Sequence, residues 1–279
     1  GHLDTNLFIA SGLIDMYVRC GSLAKAQAVF DTISNRNIVV WNSLIAGYAQ
    51  HEEGQAAIQH YIAMQCDGIE PNIVTFITLL KACSSIAALG QGRLCHSHII
   101  NNGFNLDVYV GSALIDMYTK CGCLEEACIV FHMLPKRDTV VWSAMINGYA
   151  QHSDYESALC YFDAMQQAGI EPDAVTFLNI LSACGNALLV HEGCSHLKSM
   201  IEIYNIIPAI EHLNCIVDLL GNAKLLNEAI DLLESIPFRS NIVGWMSLLS
   251  SCRMHANVEI GRNCFDYIVT VNKENVACF

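Results

Sequence analysis

Residues 13–17 read LIDMY, and residues 114–118 repeat these five letters without a change, 101 positions further along the chain. The stretch GYAQH recurs at the same spacing, beginning at Gly47 and again at Gly148. Separate stretches that match at one common spacing indicate an internal repeat, which has to be identified before any domain count is made.

Each block of 101 residues divides into three shorter units. A small residue recurs once per unit, with steps of 31, 35, 35, 31, 35, 36 and 32 residues between Ala26, Ala57, Gly92, Ala127, Ala158, Gly193, Ala229 and Gly261. An aliphatic pair earlier in each unit and the residue three places after it share one face of a first helix. The small residue and a large apolar residue four places later share one face of a second helix; examples are Phe30, Tyr61, Phe131, Phe162 and Phe265. The pattern predicts an all-α fold of helical hairpins, whose apolar faces only stacking can bury.

The composition limits what such a stack can do. Hydrophobic residues make up 53% of the 279 positions, so the chain can bury a large core. The formal net charge of −13, with basic residues scattered rather than clustered, argues against nucleic acid, because its binders usually carry a basic patch. The 14 cysteines lie in apolar periodic segments without any Cys-x-x-Cys pair, which predicts buried, reduced thiols. No uninterrupted run of 18 apolar residues occurs, so we expect no membrane span.

Several stretches resemble plant pentatricopeptide-repeat proteins, namely residues 13–23 (LIDMYVRCGSL), 39–45 (VVWNSLI) and 169–173 (GIEPD). The alternation of 31, 35 and 35 or 36 residues resembles the PLS subclass, which combines short, standard and long motifs. Residues 211–212 and 217–221 are similar to the variant last short motif of that subclass, and residues 245–261 to the start of its E region. The resemblance covers essentially the whole chain and implies a right-handed α-solenoid of stacked helix-turn-helix hairpins.

The register assigns a boundary to every repeat. Residues 1–6 end a truncated repeat, and residues 242–279 form a partial E motif. Between them lie the short repeat 7–37, standard 38–72, long 73–107, short 108–138, standard 139–173, long 174–209 and variant short 210–241. Since the chain starts without methionine and begins and ends within repeats, we expect it to be a fragment, and no transit peptide is recognisable in it.

The resemblance implies that the fifth and the last residue of each repeat read one RNA base through hydrogen bonds. Both positions are polar in five repeats: Ser11 with Asn37, Asn42 with Asn72, Ser112 with Asp138, Ser143 with Asp173, and Asn214 with Asn241. By the family's code, Ser/Asn implies adenine, Ser/Asp guanine, and Asn/Asn cytosine, with uracil less well. The long repeats pair Ile77 with Asp107 and Leu178 with Ala209; an aliphatic side chain cannot hydrogen-bond a base, so these repeats should read weakly or act as spacers. The implied site is 5′-A-Y-N-G-G-N-Y, where Y is a pyrimidine.

The second residue of each repeat is expected to pack against the faces of the bases. These residues are Phe8, Val39, Val74, Tyr109, Val140, Val175 and Glu211, the last of which departs from the apolar pattern. The polar last residues have another interpretation, because Ser, Asn and Asp between helices are also common N-caps. Five polar pairs in one register favour base reading.

Family members with this architecture specify C-to-U editing sites, so the resemblance implies single-stranded organellar RNA as a partner, in a mitochondrion or chloroplast. It also implies multiple organellar RNA editing factor proteins and a deaminase-bearing protein in trans; we expect no cofactor and no membrane partner. A deaminase needs His-x-Glu followed by Cys-x-x-Cys, and residues 51–53 supply only the first spacing. We therefore interpret His51 as part of an interhelical turn and expect no enzyme in this chain. The alternative function is a protein-binding α-solenoid scaffold in an organellar RNA-processing complex.

Overall fold

The computed structural model describes residues 2–235 and 241–277, with side chains over residues 7–235 and 241–271. These ranges form sixteen α-helices and no strand, which confirms the all-α fold of helical hairpins. The first helices of the hairpins are α1 (His2–Arg19), α3 (Ile38–Gln50), α5 (Ile73–Ser85), α7 (Val108–Lys120), α9 (Thr139–Gln151), α11 (Ala174–Ala187), α13 (Ile210–Asn222) and α15 (Ile242–Met254). The second helices are α2 (Leu23–Asp31), α4 (Gly54–Cys66), α6 (Leu89–Asn101), α8 (Leu124–Met133), α10 (Tyr155–Gln167), α12 (Val190–Glu202), α14 (Leu226–Ser235) and α16 (Val258–Ala277).

From residue 38 onward, every first helix begins at the residue where the sequence register starts a repeat. The start of the chain differs, because α1 already begins at His2 and includes residues 2–6. Those residues contain no proline or glycine that would stop a helix there. Residue 1, residues 236–240 of the predicted variant short repeat and residues 278–279 of the predicted E motif lie outside the described residues.

The first compact unit, residues 1–148, contains a layer of first helices. Helices α1, α3, α5 and α7 pack side by side in that order, and α2, α4 and α6 each pack against the first helix of the next hairpin. A hydrogen bond from His51 Nε2 to the carbonyl of Val18 (2.8 Å) ties the end of α3 to α1. His51 is the C-cap residue of α3, so its interpretation as part of an interhelical turn is confirmed.

The second compact unit, residues 149–279, repeats this arrangement, while α9 spans the division between the two units. Helices α11, α13 and α15 pack side by side, and α10, α12 and α14 each pack against the following first helix. His255 Nε2 donates to the carbonyl of Gly221 (3.0 Å), as His51 does to Val18 in the first unit. Trp245 stacks on Tyr267, with ring centroids 4.4 Å apart, and closes the apolar core of the last hairpin.

The small residues predicted on the second helices lie where two helices approach closely. The five alanines at these positions are 0% exposed. A Cβ on Gly92 would run into Met117, and one on Gly193 would lie 2.6 Å from Leu219 Cδ2, so both sites need glycine for close packing. The prediction of a buried large residue four places later was wrong for Phe265, which is 55% exposed, because no further hairpin within the described residues packs on α16.

The described cysteines range from buried to exposed, and Cys121, Cys123, Cys128 and Cys215 are half-buried. Cys83, Cys95, Cys184, Cys252 and Cys264 are buried as free thiols, and burial raises the pKa of Cys184 to about 12. The prediction of burial was wrong for four others, which are exposed on their helices: Cys20, Cys66, Cys160 and Cys194. None of the described helices is long and apolar enough to cross a membrane.

Candidate nucleic-acid interface

The last residue of a repeat is the N-cap of the next first helix at six junctions. In each case the side-chain Oδ1 of that last residue accepts a hydrogen bond, 2.8 to 3.1 Å long, from the backbone N–H of the residue three places later. The six capping residues are Asn37, Asn72, Asp107, Asp138, Asp173 and Asn241. The capping interpretation is therefore correct for all six. The cap uses only Oδ1, so the second polar atom, Nδ2 of Asn or Oδ2 of Asp, is not consumed by it.

The serines at fifth positions hydrogen-bond to their own helices. Ser11 Oγ donates to the carbonyl of Phe8 (3.0 Å), and Ser112 Oγ donates to that of Tyr109 (2.9 Å). Both side chains are half-exposed, and the oxygen of each retains its capacity to accept. Ser143 differs, because it is only 6% exposed.

The two repeats with asparagine at both positions bring their predicted partners into direct contact. Asn42 Nδ2 donates to Asn72 Oδ1 at 3.2 Å. In the variant short repeat, Asn241 Nδ2 donates to Asn214 Oδ1 at 2.8 Å. Residues 30 and 27 positions apart in the chain thus form one polar unit in each repeat.

The second positions carry exposed apolar side chains in register. Phe8 is 80% and Tyr109 68% exposed, and the four valines at positions 39, 74, 140 and 175 are between 53% and 57% exposed. Val243, the second residue of α15, is 65% exposed and belongs to the same set of apolar side chains, although it was not predicted from the sequence. Glu211 is exposed as well. Single exposed apolar residues are common, but a recurrence at one helical position marks a surface suited to a partner with flat apolar faces.

A cleft of about 220 Å³ shows how these positions combine in the first repeat. Its walls are formed by Leu7, Phe8, Ser11, Asn37 and Val39. The reading pair thus lies between the second residues of two successive repeats. Leu7, the first residue of the repeat, was not predicted to take part. The cleft is smaller than a typical drug-sized pocket and suits a single planar ring.

The long repeats lack this polar pair. Ile77 and Leu178 are half-buried at the fifth position. At the end of the second long repeat, the N–H of Ala209 donates to His212 Nδ1 (3.1 Å), and His212 Nε2 donates to the carbonyl of Ala174 (2.8 Å). His212 is 3% exposed, and the two hydrogen bonds engage both of its ring nitrogens. The imidazole serves the fold at this junction and offers no group to a ligand.

Several of the basic side chains are engaged within the protein. The guanidinium of Arg36 lies over the Phe30 ring (4.4 Å) and that of Arg137 over Phe131 (4.7 Å), and both donate to carbonyls at the ends of second helices. Arg93 pairs with Glu126 at 2.6 Å, and this hydrogen bond lowers the pKa of Glu126. These contacts reduce the positive charge available to phosphates.

Among the side chains that the structure describes, no group of three or more His, Cys, Asp or Glu residues is placed to hold a metal ion. His51, in the His-x-Glu spacing, donates to a backbone carbonyl, and so does His255.

Helical hairpins repeated in one register define a helical-repeat protein. The PPR repeat family model matches residues 36–85 and 137–186, and the PPR repeat model matches residues 9–38 and 112–138, together just over half of the chain. The chain belongs to the pentatricopeptide repeat family.

Relatives in Arabidopsis thaliana are pentatricopeptide repeat-containing proteins. One is 41% identical over 92% of this chain, which spans 36% of that protein, and another, named mitochondrial, is 34% identical over 99% of this chain, which spans 50% of it. The chain thus spans half or less of the length of these relatives.

The solved structures that resemble the chain include the pentatricopeptide repeat protein PPR10 in complex with an 18-nt psaJ RNA element. This likeness has a TM-score of 0.74 and 19% identity, and it covers 94% of this chain and 39% of PPR10. PPR10 from maize in a further crystal structure gives a TM-score of 0.65 at 21% identity, over 96% of this chain and 39% of that one. At these identities the likeness shows the fold, an all-α solenoid of helical hairpins.

Proposed function

We propose that this chain binds single-stranded RNA in a sequence-specific way, one base per repeat, at a site of the form 5′-A-Y-N-G-G-N-Y. Five repeats with a full polar pair supply the specificity, and the long repeats act as spacers. Exposed apolar residues at the second positions pack against the base faces. The likeness to PPR10, a protein with an RNA complex, supports this function.

The observation that carries the proposal is the cap at each junction. Asn37 Oδ1 is held by the N–H of Val40, which leaves the donor Nδ2, and adenine offers the acceptor N1 on its Watson–Crick edge. Asp138 Oδ1 is held by the N–H of Val141, which leaves the acceptor Oδ2, and guanine offers the donors N1–H and N2–H. The cap therefore determines which side-chain atom remains for the base, and that atom matches the base that the code assigns.

The finer function that we propose is to specify a site for organellar RNA processing, most directly C-to-U editing. A relative named mitochondrial and the PLS-like register support an organellar location, either mitochondrion or chloroplast. The chemistry then belongs to a deaminase-bearing partner in trans, with multiple organellar RNA editing factor proteins as further partners. In this proposal the chain selects the RNA site and does not carry out the deamination.

One observation favours a second candidate function, a protein-binding scaffold that does not select RNA. The net charge is −13, and Arg36, Arg93 and Arg137 are engaged within the protein.

If the first proposal is right, RNA binding must depend on contacts with the bases more than on contacts with the phosphates. The logarithm of affinity should then fall with the logarithm of salt concentration with a shallow slope of about −1 to −2, equivalent to two or three phosphates.

Fluorescence anisotropy with labelled single-stranded RNA separates the two candidates. We expect RNA that carries A-Y-N-G-G-N-Y to bind at least about tenfold more tightly than a scrambled sequence of the same composition, since a single well-formed base contact already discriminates by about that factor. Replacing both Ser143 and Asp173 by Asn should move the preference at the fifth base from guanine to a pyrimidine. Equal binding of both RNAs by the wild-type chain would contradict the proposal and favour the scaffold.

A further inference from the structure

Thr75 connects the two members of the reading pair in repeat 38–72. It is the third residue of the following repeat and is 0% exposed. Its N–H donates to Asn72 Oδ1 (3.0 Å), and its Oγ1 donates to Asn42 Oδ1 (2.8 Å). Asn42 Nδ2 in turn donates to Asn72 Oδ1 (3.2 Å). The hydroxyl of Thr75 also lies 3.1 Å from Asn72 Oδ1 and accepts the N–H of Asn72 (3.1 Å), and its single proton goes to the nearer oxygen, that of Asn42. The three residues thus close a ring of hydrogen bonds, in which the threonine hydroxyl orients the Asn42 amide.

This ring determines which polar atoms remain for a base. Asn42 Oδ1 is held by Thr75, and Asn72 Oδ1 is held by the N–H of Thr75 and by Asn42. The second N–H of Asn42 and the Nδ2 of Asn72 are outside the ring, so the pair presents donors. Cytosine offers the adjacent acceptors O2 and N3, whereas uracil, with acceptors at O2 and O4, carries a donor at N3–H between them. A pair of donors therefore matches cytosine and meets uracil with donor against donor.

The second asparagine pair has the opposite direction, although its two residue types are the same. Gly244 occupies the place of Thr75 and has no hydroxyl. Its N–H donates to Asn241 Oδ1 (3.1 Å), and Asn241 Nδ2 donates to Asn214 Oδ1 (2.8 Å). The Nδ2 of Asn214 lies outside this chain of bonds, and its Oδ1 keeps a lone pair, so Asn214 can offer both a donor and an acceptor.

Gly244 also has no room for a side chain. A Cβ at this position would lie 2.8 Å from both Asn214 Oδ1 and Asn241 Nδ2. A threonine there would displace the pair that the equivalent residue supports in repeat 38–72. The third residue of the following repeat thus touches the reading pair in both cases, with opposite consequences.

We propose that Thr75 is a positioning residue that makes repeat 38–72 select cytosine over uracil at the second base of the site. Repeat 210–241, with Gly244 in the equivalent place, accepts either pyrimidine at the seventh base. The residue that distinguishes the two lies outside the two-residue code. This inference rests on the proposed RNA-binding function and specifies a substrate preference within it.

Removing the hydroxyl of Thr75 tests the proposal. Thr75→Val preserves the shape of the buried side chain, and it frees Asn42 to rotate and present Oδ1 to the N3–H of uracil. Binding is measured with labelled RNAs that carry C or U at the second base, and separately C or U at the seventh. We expect the C-to-U affinity ratio at the second base to fall about fivefold, the effect of one hydrogen bond, while the seventh base stays indifferent.

Two control variants separate positioning from a structural role. Thr75→Ser retains the hydroxyl and should restore the preference. Thr78→Val removes a hydroxyl from the same helix that donates only to the carbonyl of Val74 (2.8 Å), and should leave the ratio unchanged. A purely structural defect would weaken both RNAs alike and leave the ratio intact. Should Thr75→Val fail to fold, Thr75→Ala removes the same hydroxyl and carries the same expectation.

The outcomes distinguish this inference from the function beneath it. If Thr75→Val keeps its cytosine preference while the first and fourth bases are still discriminated, the role of Thr75 is overturned and RNA reading stands. If the wild-type chain discriminates no base at any position, both proposals fall. If the ratio falls only at the second base, the role of Thr75 is supported.

Discussion

The two long repeats end in different residues, Asp107 and Ala209. In both cases the next first helix begins at the residue that follows. Asp107 caps α7 with its own Oδ1, which accepts the N–H of Val110 at 2.9 Å. Ala209 makes no side-chain cap; here a buried histidine from the first turn of α13, His212, accepts the N–H of Ala209 itself, which is the reciprocal bond of a capping box. A repeat can thus begin its helix without a polar last residue. The polar residues that end the five reading repeats are therefore not dictated by the fold alone, which favours a second role for them.

The largest effect that this comparison predicts is at His212. His212→Ala leaves the N–H of Ala209 and the carbonyl of Ala174 without partners and opens a cavity at a 3% exposed site. We expect a loss of about 3 kcal/mol in the free energy of unfolding, measured by urea denaturation followed by circular dichroism.

An exposed histidine serves as the control for that variant. His51→Ala removes a single hydrogen bond, to the carbonyl of Val18, and should cost about 1 kcal/mol. In the His212→Ala background, Ala209→Asp supplies an ordinary cap and should restore about 1 kcal/mol. Equal losses for the two histidine variants would mean that His212 does not replace the missing cap.

A smaller effect is predicted at the other long repeat. Asp107→Ala removes the cap of α7 and should cost about 1 kcal/mol of stability by the same denaturation measurement. Because the fifth residue of this repeat is Ile77, the variant should leave the RNA preference at the third base as indifferent as before. A new or lost preference at that base would show that Asp107 contacts the base in addition to capping α7, which would contradict this expectation.

The sequence alone predicted the hairpins and the helix starts from residue 38 onward, because apolar periodicity and capping residues act locally. It did not predict the burial of particular side chains, which depends on the neighbouring helix. Phe265 follows the periodic pattern yet is exposed, and Cys66 and Cys160 lie in apolar segments yet face outward.

The positions of the candidate site were accessible from the sequence, but the connections within it were not. Nothing local links Thr75 to Asn42, 33 residues earlier, or His212 to Ala174, 38 residues earlier. Hydrogen-bond direction in the two asparagine pairs likewise depends on a third residue in the next repeat. A code based only on the fifth and the last residue of a repeat does not include a contact with the next repeat, so only the three-dimensional structure reveals it.

In the proposed function, the residue that caps a first helix also reads the base, through the side-chain polar atom that the cap does not use. Asp138→Asn tests it most directly, because the amide Oδ1 still accepts the N–H of Val141 while the remaining atom changes from acceptor to donor. Asp107→Asn makes the same charge change at a capped junction without a reading partner and is the matched control.

The measurement compares the binding of RNAs with G or A at the fourth base. We predict that Asp138→Asn moves the preference from guanine to adenine, with a change in the affinity ratio on the order of tenfold and little change in stability. Asp107→Asn should leave the guanine preference in place. If Asp138→Asn still prefers guanine, or if both variants alter binding equally, the cap does not set the reading atom and the account is wrong.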